Sequence, residues 1–134
     1  MTPLEDGRGI LFASSGEVTG CEIIVRKRAL LADEPTVRKL TFALVTLVDV
    51  TAFHVSIDEI REIALIDRHL ARLAPLMAVA VVAPTDHDFG VGRLWEGVID
   101  VPRWSTMIFR SLTDADAWLQ ATAGTQPMAP GFGK

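Results

Sequence analysis

The chain has 134 residues, 49% hydrophobic and 22% charged, with a net charge of −4 and a pI near 5.3. That length suits one domain with a substantial core and leaves no room for two, and the composition excludes a disordered body. The acidic balance lacks the basic footprint of a nucleic-acid binder, so no nucleic-acid partner is expected.

In chain order, the opening Met1-Thr2-Pro3-Leu4-Glu5-Asp6 lacks the basic and apolar regions of a signal peptide. Gly9–Ser15 reads as a short first strand, polar enough to lie near the rim of a sheet. Thr19-Gly20-Cys21-Glu22 is a capping box for a helix reaching about Ala32, which Asp33-Glu34-Pro35 stops. The run Arg26-Lys27-Arg28, past the midpoint of that helix, reads as a solvated face favoured by the helix dipole. Cys21 is the single cysteine, so it has no internal disulfide partner and fits a reducing compartment. Leu40–Val48 is apolar almost throughout, as expected of a strand covered on both faces.

Asp49–Val55 reads as a connection, and Ser56-Ile57-Asp58-Glu59 as a second capping box. The helix it opens runs to Ala74 with Ile60, Ile63, Ala64, Leu70 and Leu73 near one stripe. Met77–Ala83 is another strand buried on both faces. A helix follows from about Asp88 to Val101, apolar at Val91, Leu94, Trp95 and Val98 and holding Gly90, Gly92 and Gly97. Ser105–Phe109 is the last strand, and Thr113-Asp114-Ala115-Asp116 caps a short helix that Gly124 ends. Residues 8–123 thus form the domain, and 124–134, rich in proline and glycine, read as a flexible tail. The longest apolar stretches, Leu40–Val50 and Leu73–Pro84, fall short of the roughly 18 residues of a membrane span. A cytoplasmic protein not integral to a membrane is expected.

Strands alternating with helices predict an α/β domain with a mostly parallel four-stranded sheet and flanking helices. Ligands of such sheets bind outside the carboxyl ends of the strands. That edge gathers Asp49, His54 and Ser56 after the second strand, Asp86, His87, Phe89 and Arg93 after the third, and Arg110 after the fourth. No catalytic set emerges from it. Asp86-His87-Asp88 lacks metal-ligand spacing and reads as a turn with an N-cap, so no metal or cofactor is expected. Asp49 sits where a receiver domain carries its phospho-accepting aspartate, but Ser14-Ser15 and Arg110 replace the acidic pair and the lysine. A Ser56, His54, Asp86 triad lacks the Gly-x-Ser-x-Gly elbow. Asp88-Phe89-Gly90 stands without the other kinase motifs, and Gly90-x-Gly92 is half a dinucleotide fingerprint in the wrong unit.

Val79-Ala80-Val81-Val82-Ala83-Pro84, then Asp88-Phe89-Gly90-x-Gly92-Arg93-Leu94-x-Glu96, then Ile108-Phe109-Arg110 and Asp114-Ala115-x-Ala117-Trp118-Leu119 make a longer pattern. It resembles the SpoIIAA-like group of bacterial proteins, relatives of the STAS domains of anti-sigma-factor antagonists and anion transporters. The resemblance covers about residues 8 to 120 and is most specific in the last third. It implies a βα superhelix acting as a protein-interaction or ligand-binding module. STAS antagonists carry a phosphorylated serine opening the helix after a strand-end aspartate. With Asp49 as that aspartate the phosphorylated position falls near Asp58, an acid, which leaves Ser56 as the candidate phosphosite beside its role as a cap.

The expected function is therefore a non-enzymatic binding or regulatory module for a protein partner or a small apolar or anionic ligand. The alternative is a small-molecule enzyme or anion-binding protein using the polar strand-end edge. Trp95, beside Gly90, Gly92 and Gly97, is the candidate contact surface for a partner or for a homodimer, and a half-buried core tryptophan is its rival reading.

Overall fold

The computed structural model describes residues 1–128. Five strands form one sheet in the order β1-β2-β3-β4-β5: Thr2–Leu4, Gly9–Thr19, Phe42–His54, Ala78–Val82 and Ser105–Phe109. β1 runs antiparallel to β2, and the other neighbours are parallel. Each crossover thus steps one strand further in the same direction. The helices are α1 (Gly20–Ala32), a short α2 (Glu34–Arg38), α3 (Ile57–Leu73), α4 (Asp86–Val98) and α5 (Leu112–Ala123). The α/β class and parallel core match the sequence reading. The sheet has one strand more than expected, because three residues around Pro3 pair with β2 at the rim, where a missing N–H is tolerated.

Alternation along the central strands supplies two cores. Phe42, Leu44, Ala78, Ala80 and Val82 face α5, where Ala115 and Leu119 are fully buried. The alanines of β4 let α5 lie close, and Phe42 fills the remaining space from β3. On the opposite face Ala43, Leu47, Val79 and Val81 meet the buried residues of α1, α3 and α4. Both apolar runs are therefore covered on both sides, as their composition predicts.

Caps set the helix starts. Thr19 caps α1, and Ser56 and Glu59 form the complete reciprocal box of α3. The other two starts differ from the sequence reading: Thr85 caps α4 before Asp86, and Ser111, not Thr113, caps α5. Asp33-Glu34-Pro35 ends α1 but opens α2 at once, with the proline in its first turn, where its lost N–H is harmless. Gly124 closes α5 in the left-handed conformation, as expected.

The largest departure concerns β2 and β3. β3 pairs with β4 only from Phe42 to Thr46, yet continues with β2 to His54. Asp49–Val55 is therefore mostly strand, and β2 reaches Thr19 where Ser15 was expected. Register shifts at Ala13/Ser15 and Gly16/Glu17, with Gly16 at φ 69°, interrupt the regular pairing of this two-stranded ribbon, which runs on past the end of β4. The segment after α5 is anchored over its described part. Thr125 is buried, Met128 packs on the α5 core, and the Gln126 amide donates to Glu5. The rest of the expected flexible tail, 129–134, lies outside the described residues.

Candidate functional site

The strand-end edge is built from interactions that position elements. Arg110, just past β5, lays its guanidinium 4.2 Å from the Phe89 ring centroid. Its Nη1 donates to Asp86 Oδ1 at 2.7 Å and to the Pro84 carbonyl at 3.3 Å. His87 Nε2 donates to the Phe53 carbonyl at 3.1 Å, tying the first turn of α4 to the end of the ribbon. Ser56 accepts from the Glu59 amide, and its own amide donates to the Glu59 carboxylate. Asp49 and His54 are exposed on the ribbon opposite Ser15 and Thr19. Arg93 is exposed and 3.5 Å from Glu96.

The edge thus brings Asp86, Phe89 and Arg110 together and links His87 to β3. Among the described residues no hydrogen bond or ion pair joins Asp49, His54 or Ser56 to His87 or Arg110. Among the described residues no cluster of three His, Cys, Asp or Glu side chains is placed to hold a metal.

Trp95 stands differently from its reading as a contact surface: it is a core residue, 8% exposed. Its Nε1 donates to Asp67 Oδ2 at 2.7 Å, while Lys27 Nζ contacts Asp67 Oδ1 at 2.6 Å. Asp67 is 1% exposed and the Lys27 side chain 13%. The basic run therefore does not form one solvated face. Arg28 is in solvent with Glu62, Arg26 bonds Ser14 and the Ala13 carbonyl, and Lys27 turns inward. Of the three glycines near Trp95, Gly92 alone is closely packed, since a Cβ there would come within 3.1 Å of the Ile108 side chain. Gly90 and Gly97 face open space.

Above the Lys27–Asp67–Trp95 bridge is a cavity of about 90 Å³. The ribbon supplies Leu47, Phe53 and Val55, α1 supplies Ile23, α3 supplies Ile60 and Ile63, and Val79 and Val81 of β4 complete the wall. The cavity lies near the end of β4, whose last residue Val82 pairs with Thr46, while the β2–β3 ribbon runs on beyond it. Val91, Gly92 and Trp95 of α4 also line it. Lys27 is the single charged residue of the lining. Beneath the bridge lies a second void of about 20 Å³, which also touches Lys27, Asp67 and Trp95. The bridge is thus a polar partition between two apolar spaces.

Neither Lys27, Asp67 nor the cavity was among the sequence candidates, yet a local signal existed. Asp67 interrupts the stripe Ile60, Ile63, Ala64, Leu70 at helical spacing, and Lys27 does the same between Ile23, Ile24 and Leu30, Leu31. A charge on each of two facing apolar stripes, opposite in sign, is the pattern of a buried pair. Among the described residues no helix is long and apolar enough to cross a membrane. No family model, curated protein or solved structure matches the chain.

Proposed function

We propose that this chain is a SpoIIAA-like, STAS-related binding module without catalytic activity, and that its ligand is a small apolar molecule held in the cavity under the β2–β3 ribbon. The cavity carries this reading. Its walls are aliphatic and aromatic, as small-molecule sites are. A smaller volume than the roughly 150 Å³ that accepts benzene or xenon in an engineered core suits a ligand of few heavy atoms. The strand order, each crossover stepping one position the same way, supports the superhelical family assignment. Of the strand-end polar groups, Ser56, His87 and Arg110 are engaged in a cap, a backbone contact and a stack with an ion pair, which favours binding over chemistry. A crystal of the full chain under xenon pressure tests the cavity. Xenon density between Leu47, Ile63 and Val81 is the expected result, and density elsewhere or none rejects the reading.

A protein partner or second copy is favoured by a separate observation. Gly90, Leu94, Gly97 and Val98 share one stripe of α4, with Leu94 54% and Val98 38% exposed. Static light scattering of the wild type and of Leu94→Glu tests the homodimer form. A dimer that the substitution dissociates supports it, and a monomer at high concentration removes it.

A further inference from the structure

Lys27 is the one charged residue that lines the cavity, and the pairing of its ammonium restricts what can lie beside it. Lys27 has three N–H donors. One meets Asp67 Oδ1, and among the described residues no other acceptor receives a hydrogen bond from it. The remaining surroundings of Nζ include the Trp95 and Phe12 ring centroids at 5.6 and 6.0 Å. Its charge is balanced by Asp67 in direct contact, while the second carboxylate oxygen is held by Trp95.

We infer that the ligand is a neutral apolar molecule bearing one hydrogen-bond-accepting oxygen, such as a ketone, ester or ether, which takes a free N–H of Lys27. This rests on the cavity reading above. A carboxylate would add a second anion to a pair already balanced, and that charge would stand uncompensated among aliphatic walls. An amine would meet the Lys27 ammonium at close range. A plain hydrocarbon fits the walls but leaves the donor unanswered. An oxygen acceptor on a small apolar body satisfies both the donor and the walls.

The test is a set of methyl-resolved NMR titrations of the full chain with cyclopentane, cyclopentanone and cyclopentanecarboxylate, for wild type, Lys27→Met and Lys27→Met/Asp67→Asn. The double variant keeps the partition neutral should the single one fold poorly. The wild type is expected to bind the ketone more tightly than the carboxylate. Either variant is expected to lose about tenfold in ketone affinity relative to its own cyclopentane affinity. Unchanged ketone affinity in the variants, or tighter binding of the carboxylate, overturns the inference while cyclopentane binding upholds the cavity. If cyclopentane itself fails to bind, the cavity reading falls and this inference with it.

Discussion

Asp67 gives its two oxygens to two donors from different helices, Lys27 of α1 and Trp95 of α4, and so joins three helices at one buried point. Removing it strands a lysine and an indole N–H in an apolar setting, and the penalty of the uncompensated charge dominates. Asp67→Ala is expected to lose about 3 kcal/mol in urea unfolding, whereas Lys27→Met/Asp67→Leu, which removes both charges, is expected to lose far less. Close packing sets a second residue-scale limit at Gly9, where a Cβ would run into the buried Phe42 ring. Because the buried ring would have to shift, Gly9→Ala is expected to destabilise by about 1–3 kcal/mol in the same measurement. At this scale caps were the legible part of the sequence, because Thr19 and Ser56 act on amides three residues away. The inward turn of Lys27 was illegible from its neighbours alone, since Arg26 and Arg28 make the run look solvated. Its direction is set by Asp67, forty positions on, and emerges only when two helices are compared.

Among the elements, the β2–β3 ribbon and α3 make opposite contributions. The α3 start is held by a reciprocal box, so Ser56→Ala is expected to lose about 1 kcal/mol of stability by denaturant unfolding. Past Thr46 β3 pairs with β2 on one side and no longer with β4 on the other, and it lies over a cavity. Amides of Leu47–His54 are therefore expected to exchange with deuterium faster than those of Phe42–Thr46, and His87→Ala, which cuts the tie to Phe53, is expected to widen that difference. The extent of β3 was partly hidden because Asp49 ends the apolar run that marks the central strand. The polar–apolar alternation from Asp49 through Ala52 is nevertheless strand-like, and the structure follows it. The pairing that extends β2 to match could not be read locally, because Ser14 to Glu17 are polar or small and the partner lies on another strand.

For the whole molecule, the one-way strand order places α1, α3 and α4 on one face and leaves the opposite face to α5 alone. Two cores follow, one compact around Phe42 and Leu119, the other large enough to retain a void where the ribbon departs from β4. The α/β class and the parallel core followed from the alternation of apolar strands and capped helices. The cavity did not, because a void is a property of how elements diverge and no residue in the sequence announces it. The polar strand-end edge, where sheet architecture alone would place a ligand, ties α4 to β3 through His87 and to the segment after β5 through Asp86 and Arg110. The most direct measurement is a methyl NMR titration with cyclopentane of the wild type and of Val91→Phe, whose ring is placed to fill the cavity. Shifts centred on Ile23, Ile60, Ile63 and Val81, lost in Val91→Phe, are what this account predicts. Shifts absent from those methyls, or undiminished in the filled variant, would contradict it.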